Sequence, residues 1–384
     1  MKLKRIICIA ISLVLVAALA AGCSANEKKG ESGAFKIGGT GPLTGVAAIY
    51  GTAAMNGAQI AVDEINAMGG IKFELKYEDD EHDAEKAVNA YNTLKDWGMQ
   101  IFLGSVTSTP AVATSAEAFN DRIFSLTPSA SSTDVTKGKD NMFQMCFADP
   151  NQGTASAQYI ADKNLGTKIA VIYKNDDPYS KGIYNTFAEK AAELNLEIVS
   201  TTTFTDDSQT DFNVQLLDAK DKGADLIFLP MYYTPASLIF QQAKAMGYAP
   251  KYFGVDGMDG ILTLENFDTS LAEGVILLTP FNADSNDERT VNFVNKYKEL
   301  FDEIPNQFAA DGYDCIYALK AALEAAECKP SMTASELCEK LIGAFTTMKF
   351  DGLTGDSMTW AANGEVSKSP KGMVIQNGAY VGLD

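Results

Sequence analysis

The residues best suited to chemistry in this 384-residue sequence are small hydroxyl groups placed just past short apolar runs. In Leu103-Gly104-Ser105-Val106-Thr107-Ser108-Thr109-Pro110, Thr109 reads as a helix N-cap and Pro110 as the first helical residue. Thr127-Pro128-Ser129-Ala130-Ser131-Ser132 echoes the pattern. Such a helix start presents unpaired backbone N–H groups, partial positive charge and hydroxyls together, which suits a small carboxylate. Ordinary capping draws on the same residue types. Asp256, in Gly254-Val255-Asp256-Gly257, adds a lone carboxylate just past a predicted strand. It is what a ligand ammonium needs, although Asp before Gly is also a common turn. Tyr179, in Asp177-Pro178-Tyr179-Ser180, and Tyr232, in Met231-Tyr232-Tyr233, also follow predicted strands. An aromatic ring with a hydroxyl at such a place could close over a ligand and hydrogen-bond it.

Other chemistries find little support. His82 is the only histidine, which nearly closes off catalysis by a His base and most zinc chemistry. It stands in Glu78-Asp79-Asp80-Glu81-His82-Asp83, a run read as a solvated surface turn because no calcium-loop pattern follows. Gly38-Gly39-Thr40-Gly41 lacks the Gly-Lys-Ser/Thr ending of a phosphate loop and reads as a tight turn after a strand. No Gly-x-Ser-x-Gly elbow occurs, and no carboxylate pair stands out as an acid and base. The expectation is a protein that is not an enzyme and uses no cofactor or metal.

The elements that would position these residues alternate. Strands are predicted at 35–38, 73–77, 101–103, 122–126 and 142–145, with helices at 51–68 and 84–97 among them. The alternation resumes with strands at 168–173, 197–203, 225–229 and 251–254 and helices near 179–194, 211–222 and 235–246. A helical section follows at 287–300, 311–326 and 335–345, with too few strands to stand alone, so it most simply completes the first domain. Short strands at 357–360 and 373–375 end the chain. Helices between strands imply parallel βαβ units, hence two α/β domains with ligand sites at the carboxyl ends of their strands. Two such domains face to face would form a cleft with a polar rim on both walls.

The first residues read as a targeting segment. Lys2, Lys4 and Arg5 precede an apolar run over 6–21, shorter than the ~20 residues of a spanning helix, and small residues close it. The ending Leu19-Ala20-Ala21-Gly22-Cys23 resembles the bacterial lipoprotein signal, in which cleavage precedes a cysteine that becomes lipidated. Residues 24–33 then form a flexible tether. A formal net charge of −19 leaves nothing to neutralise phosphates, so nucleic acid is not an expected partner. Cys146, Cys315, Cys328 and Cys338 match no metal-site spacing, and either disulfides or buried free thiols suit an exported chain.

Taken together, the motifs resemble the branched-chain amino-acid-binding proteins, the extracytoplasmic solute-binding components of ATP-driven importers. The resemblance rests on Gly41-Pro42-Leu43-Thr44-Gly45, Tyr50-Gly51, Asn56-Gly57-Ala58, Ile65-Asn66-Ala67-Met68-Gly69-Gly70-Ile71 and Leu103-Gly104. It continues through Thr127-Pro128-Ser129-Ala130, Asp211-Phe212, Tyr232-Tyr233, Gly254-Val255-Asp256-Gly257, Gly312-Tyr313-Asp314 and Phe350-Asp351-Gly352-Leu353-Thr354-Gly355. In order and spacing these cover nearly all of the chain after Phe35.

The resemblance implies the type I periplasmic-binding fold, with two doubly wound Rossmann-like lobes joined by a hinge of three crossovers. Residues 1–22 would be the signal peptide and 23–34 the lipid-anchored linker, with Cys23 the lipidated residue. Lobe 1 would comprise 35–147 and 281–370, and lobe 2 would comprise 148–280 and 371–384. It further implies that the Ser108 hydroxyl, in the stretch with Thr109, binds a ligand α-carboxylate. Ser129 would contact the ligand through its backbone, Ser131 through its hydroxyl, and Asp256 would pair with the α-ammonium. Tyr179 and Tyr232 would reach across after closure, and Tyr50, Val106 and Thr107 would lie near the ligand side chain. The implied protein is a lipid-anchored monomer outside the cytoplasm. It would capture an amino acid, branched-chain or similarly apolar, and deliver it to ABC permease subunits. Alternatives are the same fold binding an aromatic acid, an amide or another small solute, or a sensory lipoprotein.

Overall fold

The computed structural model describes residues 33–383; the predicted signal, Cys23 and most of the tether lie outside them. The chain begins with β1 (Phe35–Gly41), α1 (Ala48–Met68), β2 (Phe73–Asp79), α2 (Ala84–Trp97), β3 (Ile101–Leu103), α3 (Ser108–Asp121), β4 (Phe124–Thr127), the one-turn α4 (Thr133–Thr136) and β5 (Met142–Gln144). The five strands pair in parallel in the order β2-β1-β3-β4-β5. Helices cover both faces of a parallel sheet, so its strands need apolar side chains on both sides. Ile101–Leu103 and Phe124–Thr127 are accordingly buried throughout.

The second unit holds α5 (Asp149–Asp162), β6 (Lys168–Lys174), α6 (Pro178–Glu193), β7 (Glu197–Phe204), α7 (Asn213–Asp221), β8 (Leu226–Leu229), α8 (Tyr233–Ala245), β9 (Lys251–Gly254) and β10 (Ile276–Thr279). The chain then forms α9 (Glu288–Phe301), α10 (Gln307–Ala325) and α11 (Ala334–Phe345) before ending in β11 (Lys371–Gln376) and β12 (Ala379–Gly382). The second sheet runs β12-β11-β10-β9-β8-β6-β7, parallel except for the β10–β11 and β11–β12 pairs. The last hairpin turns at Asn377-Gly378, both with positive φ, as a tight two-residue hairpin turn demands.

Helices α9–α11 belong with the first sheet. Leu337, Leu341 and Phe345 of α11 share a buried core with Phe124, Leu126 and Phe143, and the Phe345 ring lies 4.9 Å from Phe124. Helix α10 lies directly on α1, with Cys315, Ile316 and Leu319 buried against Ala58, Ala61 and Ile65. Glycines let the two backbones touch: a Cβ on Gly57 would overlap the Ala309 carbonyl, and one on Gly312 the Ala54 carbonyl. At an exposed helix site Gly→Ala stabilises by ~1 kcal/mol. Here the sign reverses, and Gly57→Ala is expected to lower stability by about 1–3 kcal/mol, measured as a lower urea midpoint.

Several sequence expectations need correction. Gly39, Thr40 and Gly41 are strand, not turn, in register with Tyr77, Glu78 and Asp79. They are small because the Tyr77 ring and Val106 occupy the Cβ space at Gly39 and Gly41. Helix α3 starts at Ser108 with Thr107 as N-cap, so Pro110 is its third residue. The fit is natural, because a proline in the first turn gives up an N–H that has no intrahelical partner. Residues 357–360 make only isolated bridges, Phe350 with Met358 and Trp360 with Val366. The acidic run is a solvated turn only in part: Glu81 and Asp83 are exposed, but Asp80 is fully buried and accepts from the His82 N–H. Cys146, Cys315, Cys328 and Cys338 are all free thiols, and only Cys328 is part-exposed.

Candidate functional site

Each sheet reverses its strand order once, the first between β1 and β3, the second between β6 and β8. A parallel sheet opens a crevice at the carboxyl ends there. The loops after β3 and β4 carry the hydroxyl residues, while Tyr179, Tyr232 and Asp256 follow β6, β8 and β9.

The two hydroxyl loops brace each other. Ser108 Oγ accepts the Ser132 N–H at 3.2 Å. The Ser129 hydroxyl donates to the Val106 carbonyl at 2.6 Å, and the Thr127 hydroxyl to the Ser105 carbonyl at 2.6 Å. Gln144 Nε2 donates to the Ala130 and Ser132 carbonyls, fixing the second loop from beneath. Ser108, Ser129 and Ser131 are all buried.

Across the cleft, the Tyr179 hydroxyl donates to Asp256 Oδ1 at 2.6 Å and accepts the Gly257 N–H at 2.9 Å. The Tyr179 and Tyr232 rings stack, 4.7 Å between centroids and 7° apart in plane, and the Tyr232 hydroxyl faces the Ser108 N–H. Tyr232, Tyr179 and Asp256 therefore form one continuous chain of contacts, which the Tyr50 and His82 rings join at Tyr232. Burial pushes the Asp256 carboxyl up to about 7, with Asp311 adding to the rise and the Tyr179 hydroxyl opposing it. Burial likewise holds the Tyr50, Tyr179 and Tyr232 hydroxyls well above their usual range.

The remaining predicted residues sit where the units meet. The Tyr50 hydroxyl donates to the Gly257 carbonyl at 2.5 Å and accepts the Tyr233 N–H at 3.1 Å. Its ring packs on Phe308 at 4.4 Å. The Thr109 hydroxyl donates to Asp177 Oδ1 at 3.3 Å, across the cleft. Thr107 Oγ1 lies 2.8 Å from His82 Nδ1, and the His82 ring meets Tyr232 edge-on at 5.5 Å. Burial, with Lys174 nearby, pulls the imidazole down to about 4, so His82 is neutral near pH 7. The hydroxyls of Thr107, Thr109, Ser129 and Tyr50 thus already have protein partners. Val106 is buried against Gly41, whose Cβ position its side chain fills.

Sequence reasoning missed several residues at this place. The Gln307 side chain donates to the Asp256 carbonyl at 2.8 Å from the N-terminus of α10. The Gln152 Oε1 accepts the Asp256 N–H at 3.4 Å. Asp149, the first residue of α5, donates its N–H to the Ser131 carbonyl at 3.0 Å, and its carboxyl is buried. The Asp149-Pro150 pair was the available signal, since acid followed by proline favours a helix start. Among the described residues no group of three or more His, Cys, Asp or Glu side chains is placed to hold a metal ion.

Two α/β sheets with their reversal points, hydroxyls beside one and a buried carboxyl beside the other, are the architecture of a binding protein for a small solute. The chain belongs to the periplasmic binding protein family, whose model matches residues 34–378. It is thus an extracytoplasmic binding protein and not an enzyme. It is 30% identical over 299 residues to the Leu/Ile/Val-binding protein BraC3 of Rhizobium johnstonii, covering 76% of this chain and 79% of the relative. Among solved structures it resembles the branched-chain amino acid transporter substrate-binding protein LivJ of Streptococcus pneumoniae in complex with isoleucine. That match has 29% identity and a TM-score of 0.82, over 91% of this chain and 98% of the other. A leucine-binding protein, LivK, of Thermotoga maritima matches with 26% identity and the same TM-score of 0.82, over 91% and 98%.

Proposed function

We propose that this protein captures a branched-chain amino acid between its two units and delivers it to the membrane subunits of an ABC importer. The observation that carries the proposal is the buried Asp256 carboxyl, joined through Tyr179 to Tyr232, together with the buried hydroxyl and N–H loop at Ser108. A zwitterion needs these two ends, donors for its carboxylate and an acceptor for its ammonium, and charge-assisted bonds of this kind are the strong ones. Ser108 serves the carboxylate end, Ser129 meets the ligand through its backbone and Ser131 through its hydroxyl, and Tyr50, Val106 and Thr107 bound the side chain. The relatives named for Leu, Ile and Val binding support the ligand class. A ligand that touches both units stabilises the closed arrangement, and the permease reads that shift.

The units act as lobes, 35–147 with 281–370 and 148–280 with 371–384. Three chain passages between the sheets form the hinge. The start of the chain supports a signal peptide over 1–22 and a lipid anchor on Cys23, so that a monomer stays tethered outside the cytoplasm. A thermal-shift panel of the twenty amino acids with benzoate tests the ligand class. Leucine, isoleucine or valine should raise the melting temperature and benzoate should not; the reverse pattern would refute the proposal.

A pH dependence follows. Asp256 must be ionised to hold an ammonium, and its carboxyl stands at about 7 in the ligand-free protein. The groups around it are Tyr179, Gln152, the Gly257 N–H, Asp311 and Asp149, with Lys368 beyond Asp311. The ammonium lowers the Asp256 pKa in the complex. Its contribution is therefore complete above about pH 7 and falls as the pH drops, by up to about tenfold in affinity per unit. Titration calorimetry at pH 8 and pH 5 should show the weaker binding at pH 5.

A further inference from the structure

We infer that Asp149 is a second acceptor for the ligand ammonium, and that it restricts the site to primary amines. The inference rests on the proposed function and deepens it. An ammonium carries three N–H donors and is held best when each finds an acceptor. Asp256 is partly engaged already: Tyr179 occupies Oδ1, and the Gly257 N–H lies against the carboxyl. Asp149 is the opposite case. Its side chain is buried, and neither Oδ1 nor Oδ2 has a hydrogen-bond partner.

Its neighbours are equally uncommitted. The Ser131 hydroxyl lies beside the Asp149 carboxyl without hydrogen-bonding geometry and has no other partner. Gln152 Nε2, one turn along α5, is also unpaired. The charges felt by Asp149 are those of Asp256, Asp177 and Asp134, with no cation among them. A buried carboxylate that neither a cation nor a donor offsets is costly, and a protein that keeps one has a use for it. On the α6 side the space is kept by Gly182, where a Cβ would come within 2.9 Å of Asp149 Oδ2.

The placement assigns the ammonium two carboxyls from different segments. Asp149 heads α5, just after the chain leaves the first sheet, and Asp256 follows β9. Ser131, on the first unit, borders the same point through its carbonyl bond to the Asp149 N–H. A hydroxy acid or oxo acid of the same shape brings no positive charge to this pair. An N-methyl amino acid brings one donor fewer.

The test uses Asp149→Asn and Asp149→Ser in the full protein, titrated with whichever of leucine, isoleucine and valine the unaltered protein binds best. Both variants should lose affinity by about 30-fold or more, with a melting temperature unchanged or raised, because a buried carboxyl is removed without loss of a bond. A smaller loss in affinity, or a loss accompanied by a lower melting temperature in both variants, would overturn the assignment and leave Asp149 a purely structural group. If the unaltered protein binds no amino acid, the proposed function itself fails. If the unaltered protein binds one and the variants bind it equally, only the role of Asp149 fails.

Discussion

Replacing Asp256 with alanine is expected to abolish measurable amino-acid binding while leaving the fold intact. The carboxyl is the ammonium partner on the second unit, and truncating one member of a buried charge pair costs about 2–5 kcal/mol of binding free energy. The fold should tolerate the change because Asp256 ionises against its surroundings: burial and Asp311 both oppose its charge. Tyr179 keeps the Gly257 N–H as a partner when Asp256 is lost. Asp256→Asn separates charge from shape, since it preserves the volume and an acceptor oxygen. Calorimetry should show both variants failing with amino acids, and far-UV circular dichroism should show both folded. Retained affinity in either would place the ammonium elsewhere.

The largest expected loss of stability comes from Lys368→Met. Lys368 is the buried cation of a network that holds residues 350–370 against α10. Its Nζ donates to Asp311 Oδ1 at 2.9 Å and to Thr354 Oγ1 at 2.6 Å, with both ions of the pair essentially inaccessible. Asp314 accepts from the Leu353 N–H at 2.8 Å, the Thr354 N–H at 2.9 Å and the Thr354 hydroxyl at 2.6 Å. Without the lysine, Asp311 becomes a buried charge with no counterion, a loss of about 3–5 kcal/mol.

Even beside Lys368, burial pushes Asp311 up to about 6, and removing the cation raises it further. A carboxyl whose folded pKa is raised destabilises the fold above that pKa and ceases to do so once protonated. The deficit of Lys368→Met should therefore be larger at pH 8 than at pH 5. Urea unfolding at the two pH values checks this, and Asp311→Asn in the same chain should restore part of the loss.

Much of this architecture is legible in the sequence because βα alternation leaves a strong imprint. The helix over 84–97 and the strand over 101–103 have the bounds that their apolar spacing suggests. What escaped the reading depends on neighbours distant in the chain. Glycines 38, 39 and 41 resemble a turn until Met99, Tyr77 and Val106 are seen in the space their side chains would need. Asp80 looks solvated within an acidic run, yet the chain folds it inward, where burial pushes it up to about 7. Helix α5 opens with Asp-Pro-Asn-Gln-Gly, which has almost no apolar signal, so Asp149 passed unnoticed along with its helix. The tyrosines and Asp256 stood out because each directly follows an apolar strand. The stacking of Tyr179 on Tyr232 and the bond from Tyr50 to Gly257 arise only when the two units meet.

The central claim is that one small amino acid is held at both its charged ends between the two units. Titration calorimetry at pH 8 tests it most directly, using protein unfolded and refolded to release any co-purified ligand. Leucine, isoleucine and valine would each be compared with the matching 2-oxo acid. Saturable one-to-one binding of at least one of the three amino acids, with no heat from its oxo acid, is the predicted result. No binding of any of the three, or equal affinity for amino acid and oxo acid, would contradict the account.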